Sequence, residues 1–133
     1  MVQEQIIAIF TIMIEILHKY PLKDLNSFGL DTRASFYASP DNLKALCKIL
    51  KDPAYSKMPL LVLGEGSNIL FRQDFAGLVI HPDMKGIEVV EEKEDELVVK
   101  VGASENWDSW VAYATEKGWY GLENLSLIPG SVG

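Results

Sequence analysis

From Asn26 onward, apolar and polar positions break the chain into short stretches of differing period. Asn26-Ser27-Phe28-Gly29 suggests a turn, and Ala34-Ser35-Phe36-Tyr37-Ala38 a strand with mixed faces. Ser39-Pro40 then predicts the opening of a helix, with Ser39 as cap and Pro40 at the first helical position. Leu43, Leu46, Cys47 and Leu50 recur at helical spacing and predict one apolar face, on which Cys47 would be a buried, inert thiol. Asp52-Pro53 ends the helix. Leu60 to Leu63 then reads as a short buried strand between Pro59 and Gly64. This strand–helix–strand order predicts a small βαβ unit, right-handed if its two strands pair in parallel.

Beyond it, Ile69-Leu70-Phe71 reads as extended, Asp74-Phe75-Ala76-Gly77 as a turn, and Leu78-Val79-Ile80 as a strand. Ile87-Glu88-Val89-Val90 and Leu97-Val98-Val99-Lys100-Val101 flank the charged run Glu91-Glu92-Lys93-Glu94-Asp95-Glu96, the pattern of a β-hairpin. That run reads as a solvated tip whose charges discourage edge pairing, rather than as a metal site. A second helix follows. Asn106 is its cap, Asp108 suits the positive end of its dipole, and Lys117-Gly118 closes it. Trp107, Trp110, Val111 and Ala114 share a face and read as core, with Trp119 and Tyr120 packing beneath the following loop. His18 and His81 are isolated histidines, better suited to hydrogen bonding than to a metal.

Residues 1–17 stand apart as an apolar N-terminal helix or an extended start. Ile6 to Leu17 is apolar except for Thr11 and Glu15, which falls short of the ~20 residues needed to span a bilayer. It also lacks the basic start and small-residue cleavage site of a signal peptide. Met13 is an alternative initiator.

Composition narrows the function by exclusion. A net charge of −7, with no stripe of Lys and Arg, argues against nucleic acid. Any bound pyrophosphate must rely on local N–H dipoles, because the overall field repels it. Cys47 is the single cysteine, so no internal disulfide forms and a reducing cytoplasm is the natural setting.

The candidate chemistry lies where Leu60-Leu61-Val62-Leu63 runs into Gly64-Glu65-Gly66-Ser67-Asn68. Two glycines let the backbone approach a ligand closely, while Ser67 and Asn68 add a hydroxyl and an amide to a row of N–H groups. Ile69 stands where a dinucleotide fingerprint has its third glycine, and the Lys-Ser or Lys-Thr pair of a Walker loop is missing. A second cluster of small residues is Ile128-Pro129-Gly130-Ser131-Val132-Gly133.

Taken in order, Asn26-Ser27-Phe28-Gly29, Gly64-Glu65-Gly66-Ser67-Asn68, Gly77-Leu78-Val79-Ile80, Lys85-Gly86-Ile87, Gly102-Ala103-Ser104-Glu105-Asn106-Trp107, Gly121-Leu122-Glu123-Asn124-Leu125 and Ile128-Pro129-Gly130-Ser131-Val132-Gly133 resemble the UDP-N-acetylenolpyruvoylglucosamine reductase (UDP-N-acetylmuramate dehydrogenase) family. The resemblance runs from about Ile14 to Gly133. It implies an α+β FAD-binding fold of the vanillyl-alcohol-oxidase type, with 18–133 as the FAD-binding domain, truncated at its C-terminal end. It also implies that Gly64, Glu65, Gly66, Ser67, Asn68 and Ile69 wrap the FAD pyrophosphate, and that Pro129, Gly130, Ser131, Val132 and Gly133 form the second wall. Glu65 is the awkward member. A carboxylate beside a pyrophosphate repels it, so this side chain must point away or bond elsewhere.

The implied reaction passes hydride from NADPH (or NADH) through the flavin to the enolpyruvyl double bond of a UDP-sugar, in peptidoglycan precursor synthesis. The family's catalytic serine, arginine and glutamate belong to a C-terminal region that this chain lacks, so no catalytic residue is carried over and the chain alone is expected to be inactive. Two other readings stay open: another flavin oxidoreductase of the same fold, and a non-catalytic truncated module that self-associates through exposed core.

Overall fold

A computed structural model describes residues 15–133. The expectations for an N-terminal helix and for Met13 fall almost wholly outside the described residues. The first element is a strand the sequence pattern does not announce, β1 (Leu17–Pro21). It pairs antiparallel with β2 (Arg33–Ala38). Helix α1 (Leu43–Lys51) follows, then β3 (Leu60–Val62) and β4 (Phe75–Ile80). The sheet order is β1-β2-β4-β3, with β4 parallel to both β2 and β3. The expected βαβ unit is therefore present, but β4 separates its two strands.

The sheet buries residues on both faces, as the alternation along β4 shows. Val79 joins Leu22, Ala34, Tyr37, Leu63 and Phe71 on one side, while Leu78 and Ile80 meet Ala38 and Ile49 on the other. A register shift between Ala34 and Phe36 lets Ala34 and Tyr37, three residues apart, serve the same side.

Four local expectations are corrected. Asn42, not Ser39, caps α1, accepting from the Ala45 N–H at 2.8 Å. Pro40 lies in the preceding connection, where its carbonyl accepts from the Asp83 N–H. The buried residues of α1 are Ala45 and Ile49, so the core stripe is rotated and Cys47 is exposed. Leu60–Val62 is an edge strand, with Leu60 and Val62 exposed and only the following Leu63 buried. Finally, Phe75–Gly77 is the start of β4 rather than a turn, because pairing with β2, where Phe75 lies opposite Ala34, outweighs its turn-like composition. Ile69 to Phe71 lies outside any strand.

The hairpin forms as expected from β5 (Ile87–Glu92) and β6 (Leu97–Val101), and Lys93 at its tip lies 3.3 Å from Glu91 and 3.6 Å from Glu96. Helix α2 (Trp107–Glu116) is capped by Asn106, whose side chain accepts from the Ser109 N–H at 3.0 Å. Trp110, Val111 and Ala114 are buried, and Trp110, Tyr113 and Trp119 form an aromatic cluster. Tyr120, by contrast, is exposed. No described helix is long and apolar enough to cross a membrane.

Candidate functional site

The glycine-rich loop leaves the C-terminal end of β3, beside the C-terminal end of its parallel neighbour β4. Crevices outside the carboxyl ends of parallel strands are common ligand sites. At Gly66 the chain has φ +62°, and a side chain there would run into the backbone of Leu25 and Asn26, whose Cα is 2.9 Å from the added carbon. The approach is reinforced by Ser27, whose N–H donates to the Gly66 carbonyl at 3.1 Å and whose hydroxyl reaches the Gly66 and Ser67 carbonyls. Asn26, itself buried, holds that turn by donating to the Leu22, Lys23 and Leu30 carbonyls and accepting from the Leu30 N–H. The turn expected at Asn26 to Gly29 is thus the brace behind the loop.

On its other side the loop meets the second small-residue cluster. A side chain on Gly64 would lie 2.9 Å from the Ser131 Oγ, and one on Gly130 would lie 3.3 Å from the Ser67 Oγ. The cluster is fixed in turn to the segment before α2. Trp107 N–H donates to the Gly130 carbonyl, Val132 N–H to Glu105, and Gly133 N–H to Ala103. The structure therefore brings together the two stretches singled out in the sequence.

The Glu65 side chain bonds away from the loop. Asn106 Nδ2 donates to the Glu65 Oε1 at 3.2 Å, which puts the carboxylate beside the N-terminus of α2. The N–H groups of Gly64, Glu65, Gly66, Ser67 and Asn68 donate to no acceptor among the described residues. Five consecutive free donors, on a stretch with two glycines, are suited to an anion.

Beside the loop is a cavity of about 230 Å³, lined by Gly64, Glu65, Ser131 and Gly133 together with residues of the β4–β5 connection. These further residues, His81, Asp83, Lys85 and also Ser104, were not expected as site residues. Ser104 ties the connection down, its hydroxyl donating to the Pro82 carbonyl at 2.5 Å and accepting from the Met84 N–H at 2.9 Å. Lys85 Nζ donates to the Ser104 carbonyl, bringing one cation to an otherwise acidic lining. For His81 and Asp83 a sequence signal was available: His81-Pro82-Asp83 directly follows β4, at the same end of the sheet as the glycine loop.

A model of a family described as an FAD binding domain matches residues 34–133. The chain belongs to this FAD-binding domain family. Among curated proteins, it is 44% identical over 112 residues to a UDP-N-acetylenolpyruvoylglucosamine reductase of Chromobacterium violaceum, covering 84% of this chain and 33% of that one. It is 46% identical over 113 residues to a protein of the same name from Amoebophilus asiaticus, covering 85% and 33%. The crystal structure of UDP-N-acetylenolpyruvylglucosamine reductase from Thermus caldophilus matches with a TM-score of 0.63 at 26% identity, over 91% of this chain and 40% of that one. The chain thus spans about a third of the length of the curated relatives it matches. An FAD-binding domain needs a pyrophosphate cradle, and the donors at Gly64 to Asn68 with the small residues opposite fit that group.

Among the described residues, no group of three or more His, Cys, Asp or Glu side chains could hold a metal ion.

Proposed function

We propose that residues 18–133 form the FAD-binding part of a UDP-N-acetylenolpyruvoylglucosamine reductase, an enzyme of peptidoglycan precursor synthesis in the cytoplasm. Gly64, Glu65, Gly66, Ser67, Asn68 and Ile69 would hold the pyrophosphate, and Pro129, Gly130, Ser131, Val132 and Gly133 would close the site from the other side. The observation that carries this reading is the run of free N–H groups at Gly64 to Asn68, held by Ser27 on one side and closely approached by Ser131 on the other.

Each part of the chain has a stated task. The Asn26–Ser27 turn fixes the loop from behind, so its donors need little reorganisation on binding. Asn106 draws the Glu65 carboxylate toward the helix end, relieving its repulsion of a pyrophosphate. When bound, FAD supplies hydride transfer between a nicotinamide donor, NADPH in this reading, and the enolpyruvyl group of a UDP-sugar. No described residue is assigned to that substrate or to proton transfer, and the 133-residue chain alone is expected not to oxidise NADPH in response to it.

Titration with FAD, followed by flavin fluorescence and absorbance, tests the cradle. Saturable binding that weakens in a Ser67→Ala/Asn68→Ala variant is the expected result. Binding that is absent would remove the loop from the site, and binding indifferent to both residues would remove their side chains from it.

A further inference from the structure

Among the groups around the cavity, His81 has the most specific contact. Its Nδ1 lies 2.9 Å from the Leu63 carbonyl, eighteen residues away in sequence, in a partly buried position. A carbonyl oxygen only accepts, so Nδ1 carries the proton and the ring donates. Leu63 is the last residue before the glycine loop. Its N–H already donates to the Ile80 carbonyl at 2.8 Å, and the His81 N–H donates to the Ala38 carbonyl at 2.9 Å. The backbone thus fixes β3, β4 and β2 to one another at this end of the sheet, and the imidazole adds a bond across the last step. That bond falls on the carbonyl of the peptide unit whose N–H belongs to Gly64, the first free donor of the loop. Holding the oxygen therefore holds the direction of that N–H, because the peptide unit is planar. The ring makes no other hydrogen bond among the described residues, and it lies against Tyr37, with ring centroids 6.3 Å apart.

We infer that His81 is a positioning residue of the anion cradle, fixing the Leu63–Gly64 peptide so that the loop's donors are aimed before a ligand arrives. The inference rests on the proposed FAD reading for its ligand, but the latch itself belongs to the ligand-free protein.

Three variants separate the latch from mere bulk. Asparagine places an amide N–H about where Nδ1–H stands, glutamine carries its donor one bond farther out, and alanine has none. His81→Ala and His81→Gln should weaken FAD binding about fivefold or more, the worth of one hydrogen bond, whereas His81→Asn should stay within about twofold of the parent. In the absence of FAD, backbone amide NMR order parameters should fall at Gly64 to Asn68 in the alanine and glutamine variants, remain near parental in asparagine, and stay unchanged in β2 and β4. Equal FAD affinity in parent and alanine variant, or asparagine no better than glutamine, would overturn the inference. A parent that binds no FAD would sink the functional reading, and the order parameters would then decide the latch by themselves: a loop no more mobile in His81→Ala than in the parent would overturn it.

Discussion

Asn106 does two tasks with one side chain: its Oδ1 caps α2 through the Ser109 N–H at 3.0 Å, and its Nδ2 donates to Glu65 at 3.2 Å. The helix start and the glycine loop are thereby oriented by the same amide. Asn106→Asp should keep the cap but set a second carboxylate against Glu65, lowering stability by up to about 1 kcal/mol at neutral pH. Adding Glu65→Gln should recover that loss. Urea denaturation of the two variants checks this, and an additive pair would show that the contact contributes nothing.

Gly66 and Gly118 make a matched comparison of glycine positions. Both have positive φ, +62° and +73°, but only Gly66 is pressed against other backbone. Gly118→Ala should cost about 1–2 kcal/mol from conformation alone. Gly66→Ala should cost more, since the loop must move off Leu25 and Asn26, and thermal unfolding of the two variants gives the difference.

Asp108 gives the fold an acid-sensitive point. The Leu127 N–H and the Ser126 hydroxyl both donate to its carboxylate at 2.7 Å, holding its pKa below the ordinary value. A depressed carboxylate pKa means the stabilisation is complete above the unfolded value, near ~4, and disappears as pH falls through the folded value. Asp108→Asn should therefore differ most from the parent at neutral pH, and the two denaturation midpoints should converge in acid.

Ser67 and Asn68 separate binding from folding. Neither side chain has a hydrogen-bond partner among the described residues. Ser67→Ala/Asn68→Ala should change unfolding free energy by less than about 0.5 kcal/mol while weakening FAD binding. Parallel denaturation and fluorescence titrations decide it.

Cys47 offers a direct check on the orientation of α1. Its exposure predicts that one thiol per chain reacts with an aromatic disulfide reagent in the native protein without denaturant. Protection until unfolding would restore the stripe expected from Leu43, Leu46, Cys47 and Leu50.

These cases show where sequence is informative. The hairpin and α2 were legible because their signals are local: β-rich runs around a charged tip, and an Asn cap with a Lys-Gly stop. What failed was set by partners distant in sequence. Leu60 to Val62 is apolar like a central strand, and only the sheet order makes it an edge. Leu17–Pro21 looks too polar for a strand, and pairing with β2 makes it one. Cys47 was misplaced because Ala45, too small to mark a stripe, is the residue that α1 buries along with Ile49. At the site, the two clusters of small residues were visible since close backbone approach requires them. His81 and Asp83 were marked only by following β4, and Lys85 and Ser104 not at all, because their shared cavity depends on how the β4–β5 connection passes the loop.

The loop's two neighbours lie far apart along the chain: Ser27 bonds to it across 39 and 40 residues, and Ser131 comes close to Gly64 from beyond α2. No stretch of local chain can give these few residues their shape. Ordering them carries the closure entropy of long loops, so the cradle should be among the last parts to form during refolding, after the hairpin and α2. Competence to bind a cofactor would then report completion of the fold, and flavin capture could serve as a clock for it.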